Sequence, residues 1–183
     1  STRGLQSAVT PTQVIDILKA GHDRVMKGQR LTRDMGRQVS ATGQGQHPLA
    51  VVLSCIDSRS PAELIFDLGV GDIFSVRVAG NITSRKVLGS MEYACAVAGA
   101  KLVLVMGHTR CGAVSTAVKL ACSTEPVAKT TGCQHVEHIL NDLQPSIDPN
   151  RCRRLDLLSE GEREAFIDEV ARDNVLRMVR LIV

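Results

Sequence analysis

Two apolar runs of matched length, each leading into a metal-binding residue type, constrain this chain more than any other feature. Leu49-Ala50-Val51-Val52-Leu53 runs into Ser54-Cys55-Ile56-Asp57-Ser58-Arg59, and Lys101-Leu102-Val103-Leu104-Val105 runs into Met106-Gly107-His108-Thr109-Arg110-Cys111-Gly112. Short, β-branched runs without polar alternation suit parallel strands covered on both faces. On that reading Cys55 and His108 emerge at strand C-terminal ends, where open α/β sheets form their ligand crevices. The spacing of His108 and Cys111 predicts one helical turn that points both side chains the same way. Two thiolates and one imidazole form a borderline-soft donor set that suits Zn²⁺ and leaves a fourth position for water.

The rest of the chain reads as support for these motifs. Residues 1–10 carry no periodic signal and are expected to be disordered. Thr10-Pro11-Thr12-Gln13 starts a helix whose apolar positions are Val14, Ile15, Leu18, Val25 and Met26. An isolated arm cannot leave such a stripe in water, so residues 1–36 are expected to be a helical arm packed on a partner surface, with residues 37–183 forming the metal-binding domain. Val39–His47 reads as a loop. Ser60 and Glu63 are spaced as a capping box for a short helix, with Pro61 in its first turn. Ile73–Val78 reads as a strand, and Ser84–Ala100 as the crossover helix to the next strand. Cys133–Leu143 and Glu162–Arg180 read as helices separated by a turn at Asp148-Pro149-Asn150. The fold class is therefore α/β, a mostly parallel central sheet flanked by helices.

Composition excludes several roles. The 183 residues, 44% of them hydrophobic, are enough for one compact domain. A net charge of +3, with 22 basic and 19 acidic residues, implies no partner by charge, and four aromatics are too few for a nucleic-acid stacking platform. No apolar run reaches membrane-spanning length and the start lacks a signal-peptide core, so a cytoplasmic setting is expected, and with it reduced thiols. Cys95, Cys122, Cys133 and Cys152 read as inert small apolar side chains. His135 and His138, one turn apart, lack a partner cysteine and read as solvated or packing residues.

The ordered set Cys55-x-Asp57-Ser58-Arg59, Ala79-Gly80-Asn81, Glu92-Tyr93-Ala94 and His108-x-x-Cys111-Gly112 resembles the signature of the β-class carbonic anhydrases, nearest the plant-like type. Val78 departs from the Asn that many bacterial members carry before Ala79. The resemblance implies Zn²⁺ held by Cys55, His108 and Cys111, and reversible hydration of CO₂ to bicarbonate and a proton. It implies that Arg59 holds Asp57 where it orients the attacking water, and that Asp57, once released, takes the fourth metal position and closes the site. Gln46, Phe74, Tyr93 and Gly112 match substrate-pocket positions, partly across a subunit interface, so a homodimer or higher even oligomer is implied. Two other readings stand beside it: hydrolysis of carbonyl sulfide or carbon disulfide on the same fold, and a zinc-stabilised regulatory domain fused to or associated with an anion transporter, since the His108 segment also resembles domains of sulfate-permease-type transporters. The family's C-terminal strand is expected to be absent, and Ser1 in place of Met suggests a processed chain or a fragment.

Overall fold

The computed structural model describes residues 1–121 and 126–183. The described chain falls into two compact units, each built from interleaved stretches of sequence. The first comprises residues 1–54, 58–77 and 84–104, and the second residues 55–57, 78–83 and 105–183. Among the described residues no helix is long and apolar enough to cross a membrane.

The first unit opens with three helices, α1 (Arg3–Ala8), α2 (Pro11–Met26) and α3 (Met35–Thr42). Helix α1 replaces the expected disorder. Thr2 caps it, and buried Gln6 donates from its amide to the carbonyls of Pro48 and Ala98, both at 2.8 Å. Two long-range hydrogen bonds from one side chain fix a segment too short to hold a helix alone. Helix α2 starts at the expected place, with a reciprocal capping box between Thr10 and Gln13 and Pro11 at its first position. Helix α3, capped by Asp34, occupies the first part of the stretch expected to be a loop.

Strands β1 (Ala50–Ser54), β2 (Ile73–Arg77) and β3 (Leu102–Met106) form a three-stranded sheet in the order β2-β1-β3. β1 and β2 run parallel, with Ala50 opposite Ile73 and Ser54 opposite Arg77. Central β1 is buried along its whole length, whereas β2 and β3 are only partly buried, so cover on both faces holds for the middle strand alone. Helix α4 (Ala62–Ile65) follows β1 without the expected box: its N-cap is Pro61, no side chain caps it, and Glu63 instead accepts a hydrogen bond from Ser75. The crossover predicted as one helix is α5 (Arg85–Glu92) continued by a wider, π-type turn over Tyr93–Val97.

Part of the apolar stripe of α2 finds its cover within this unit. Val14 and Leu18 are buried with Leu49 and Ala50, packed by Phe66, Leu68, Ile73, Leu102 and Leu104. Burying each such side chain contributes about 1.5–3 kcal/mol, while Ile15 and Met26 of the same stripe stay exposed. Gly21 marks the closest approach: a Cβ there would lie 1.9 Å from the Phe66 carbonyl oxygen.

In the second unit a 3₁₀ turn (Ala79–Asn81) precedes α6 (Gly112–Ala121), α7 (Val127–Thr131), α8 (Val136–Leu143), α9 (Pro149–Cys152) and α10 (Glu160–Ile182). The expected turn at Asp148 is the cap of α9, and Ser159 and Glu162 form a capping box that starts α10. Val114, Val118, Leu140, Leu143, Phe166, Val170 and Met178 pack into one core that also contains Cys55 and Cys111. Cys95 is partly buried and Cys133 exposed, both as free thiols. Cys152 is buried, but as a disulfide-bonded residue rather than the free thiol expected, and the expectation for Cys122 falls outside the described residues.

One polar cluster ties the first unit together. Asp67, buried and left-handed at φ 48, accepts from Arg24 Nε at 2.6 Å, Arg33 Nη1 at 2.5 Å and the backbone N–H of Leu31 at 3.2 Å. Burial opposes its ionisation, but the hydrogen bonds from Arg24, Arg33 and Leu31 outweigh it and hold the carboxyl at about 2, below its ordinary 3.8. A depressed carboxyl pKa contributes stability that is full above the ordinary value and lost as pH falls through the folded value. Asp67→Asn keeps a residue type that tolerates left-handed φ. It should therefore lower the thermal midpoint at pH 7, and the gap from wild type should shrink between pH 4 and pH 2. Calorimetric melts across that range check this; a gap independent of pH would mean that shape, not charge, holds the cluster.

Candidate metal centre

Cys55 directly follows β1 in sequence, and His108 follows β3 by one glycine. Their ligand atoms and that of Cys111 lie within 4.8 Å of one another, the one such cluster among the described residues. The two Sγ atoms are 3.9 Å apart, and both cysteines are buried. His108 and Cys111 converge, though not through a helix. Residues 108–111 form a turn before α6, with Arg110 left-handed at φ 53. The spacing of three reads correctly as convergence, but the backbone that achieves it is a loop.

The imidazole is set for coordination. Its Nδ1 faces the Thr109 carbonyl at 2.9 Å and donates there, which leaves the Nε2 lone pair free to bind. Nε2 is buried with no hydrogen-bond partner among the described residues. A buried ring nitrogen of this kind, in a cluster with two sulfurs, suits a metal ligand.

The sulfurs are electrostatically coupled. The hydrogen bond from Cys111 is the largest influence on Cys55 and stabilises its thiolate; burial opposes this, while His108 and the backbone N–H groups of Asp57 and Gly80 assist. Cys111 moves the opposite way, because it keeps the proton it shares with Cys55 and because it is buried. Without a cation the pair holds one negative charge comfortably and resists a second. A divalent ion at the centre removes that conflict, and thiolate and imidazole donors fit a borderline-soft one.

Of the other sequence-predicted residues, Asp57 joins the cluster: its Oδ2 lies 4.0 Å from His108 Nε2. Arg59 is exposed and belongs to the first unit. Phe74 and Tyr93 line one groove of the first unit with Arg77, Lys86, Gly89 and Ser90. Gln46 is exposed before β1 and is not among that groove's lining residues, and Gly112 is the exposed first residue of α6.

Helix α10 supplies positioning that the sequence reading missed. Asp168 accepts from the Arg110 backbone N–H at 2.8 Å, pinning the left-handed residue of the ligand turn, and Glu164 pairs with the Arg110 guanidinium at 3.5 Å. Gly107 is hemmed in by the same helix, where a Cβ would meet Val175 Cγ2 at 2.6 Å. Buried Asn174 reaches Gly80. The available signal was a polar residue inside an apolar stripe: Phe166, Val170, Asn174 and Met178 recur every four residues.

Comparison with known proteins places this arrangement. The family model described as "Carbonic anhydrase" matches residues 50–183. A carbonic anhydrase of Mycolicibacterium smegmatis is 38% identical over 164 residues, covering 88% of this chain and 77% of that protein. Carbonic anhydrase 2 of Mycobacterium tuberculosis is 36% identical over 163 residues, covering 88% of this chain and 76% of its own. Among solved structures, a β-carbonic anhydrase of Aspergillus fumigatus superposes with a TM-score of 0.64 at 21% identity, over 93% of this chain and 74% of that one. A tetrameric β-carbonic anhydrase of Sordaria macrospora does so at 0.61 and 25% identity, over 79% and 73%.

The centre makes a direct stoichiometric demand. The purified protein should carry one divalent metal ion per chain, and Cys55→Ser, His108→Ala and Cys111→Ser should each lower occupancy at least roughly tenfold, because each leaves an incomplete set. Elemental analysis after dialysis reads this out. Full occupancy in Cys111→Ser would overturn the ligand assignment.

Proposed function

This chain belongs to the β-class carbonic anhydrases, and from that premise we propose that it is a zinc enzyme of CO₂ hydration whose ligands are Cys55, His108 and Cys111. The observation that carries the reading is the sulfur pair. Two thiolates each about 2.3 Å from a tetrahedral Zn²⁺ sit about 3.8 Å apart, and Cys55 and Cys111 are 3.9 Å apart. A bound Zn²⁺ supplies a water whose pKa is lowered from about 15.7 towards 7. Thiolates donate more electron density than imidazoles do, so the activity profile should lie more alkaline than that of an all-His site.

The chain's own residues do the rest. His108, locked by the Thr109 carbonyl, presents Nε2 in one tautomer. Asp57 is the acidic side chain that the ligand turn brings beside His108, and its backbone N–H supports the Cys55 thiolate. We assign it the role of accepting a hydrogen bond from the attacking water, so that the lone pair faces CO₂. Arg59 is assigned to hold that carboxylate by a bidentate pair. Released, Asp57 has an electrostatic reason to take the metal's fourth position and close the site. Phe74 and Tyr93 share a groove that Arg77, Lys86 and Ser90 also line, and their assignment to the substrate pocket, like that of Gln46 and Gly112, rests on the family resemblance.

Assembly and setting follow from the relatives and the thiols. A neighbour of similar fold is described as tetrameric, which supports an even oligomer for this chain. The reduced state that Cys55 and Cys111 need supports a cytoplasmic setting, although the disulfide at Cys152 points the other way. The relatives reported above are named carbonic anhydrases, and nothing found supports the transporter-domain reading, which is set aside.

Stopped-flow CO₂ hydration on metal-quantified protein is the test. The loaded wild type should turn over CO₂, and protein that instead hydrolyses only carbonyl sulfide or carbon disulfide would move the assignment to the sulfur analogues. Asp57→Ala should keep its metal and lose about 10²–10⁴-fold in rate, the range of a positioned proton acceptor. Arg59→Ala should lose activity too, with an added oxygen ligand visible by X-ray absorption. Unchanged turnover in loaded Asp57→Ala would make the turn merely structural.

A further inference from the structure

Gly80 is held from two sides. Its N–H points at Cys55 Sγ from 3.4 Å, and its carbonyl accepts from Asn174 Nδ2 at 2.8 Å. The residue is buried and left-handed at φ 68, and a Cβ there would sit 3.0 Å from Leu143 Cδ1. Glycine populates several backbone basins with similar ease, so left to itself it does not keep an N–H aimed at a chosen atom. Something must select the basin in which the amide meets the sulfur.

Asn174 is placed to do so. It is fully buried in the apolar stripe of α10, among the core formed by Phe166, Val170 and Met178. An apolar residue would pack there without the cost of burying an amide. The amide is instead satisfied at both ends: Nδ2 donates to Gly80, and Oδ1 faces the buried hydroxyl of Ser146 at 3.4 Å. The rotamer is thus fixed by α10 on one side and by the segment after α8 on the other.

We propose that Asn174 is a positioning residue for the metal ligand Cys55, acting through Gly80, whose backbone it locks so that the N–H supports the thiolate. The inference rests on the metal-centre reading above. Asn174 touches neither metal nor substrate; it sets the hydrogen bonding, and so the donor strength, of one ligand sulfur.

Chelator-competition titration of Zn²⁺, together with the sulfur-to-metal charge-transfer band of the Co²⁺-substituted protein, tests this. Asn174→Leu should weaken metal binding about 10–100-fold, as loss of a ligand-orienting partner does, and should shift the Co²⁺ band while circular dichroism stays unchanged. Ser146→Ala, which leaves Asn174 in place with a loosened rotamer, should weaken binding about threefold. A folded Asn174→Leu protein with affinity within twofold of wild type and an unmoved band would reduce Asn174 to packing. If Asn174→Leu does not fold, Ser146→Ala decides: wild-type affinity and band there overturn the proposal. Failure of the wild type to bind metal would instead defeat the metal-centre reading, so the two failures are distinct.

Discussion

The structure of this site depends on two sulfur atoms held 3.9 Å apart in a buried place. Two thiolates at that distance repel, and burial strengthens the repulsion by removing the water that would screen it. The polypeptide alone resolves the conflict by leaving one proton between them, which is why the Cys55 and Cys111 thiols are driven in opposite directions. A divalent cation resolves it without the proton. The same core that buries Val114, Leu143 and Phe166 also buries the two ligands, so a bound metal should add to the stability of the second unit.

Holding the sulfurs there asks for backbone shapes that ordinary residues avoid. Arg110 and Asn81 are left-handed non-glycine residues, and Gly80 lies in the same basin. Arg110 adjoins the ligand Cys111, Gly80 contacts the ligand Cys55, and Asn81 follows Gly80. Asp168 takes the Arg110 amide, Asn174 takes the Gly80 carbonyl, and Leu143 closes on the Gly80 α-carbon. Strained backbone persists only where its surroundings over-determine it. Helix α10 is thus less a layer of the fold than the brace of the ligand turns, which explains why its buried face carries an asparagine.

Much of this was legible in the sequence because the ligand motifs are local. A strand followed by Cys, and a strand followed by Gly-His-x-x-Cys, fix both the elements and the ligands within a dozen residues. The three strands accordingly fall within one residue of expectation at either end. What escaped was decided by distant partners. Gln6 makes a helix of residues 3–8 only because Pro48 and Ala98 accept its amide, and no pattern within ten residues contains that information. The Ser60–Glu63 box fails for the same reason, since Glu63 takes a hydrogen bond from Ser75 on β2 instead. The stripe of α2 was read correctly as needing cover, but amphipathicity does not say whose surface supplies it. Val14 and Leu18 find theirs on the strands of their own unit.

The donor environment of the sulfurs bears on reactivity as well as on binding. A Cys₂His set gives the metal more electron density than three imidazoles do, which by itself makes a poorer Lewis acid. Each sulfur here is also met by two backbone amides, Asp57 and Gly80 for Cys55, Ala113 and Val114 for Cys111. An N–H directed at a thiolate withdraws part of its charge, so the amides would oppose the electron push of the sulfurs and return acidity to a bound metal. The two sulfurs differ in how that withdrawal is secured. Cys111 precedes α6, whose first turn offers its amides without further constraint. Cys55 has no helix behind it and relies on a turn residue and on a glycine that α10 must hold in place. The cysteine without a helix is thus the one whose hydrogen bonds had to be built from the far end of the chain.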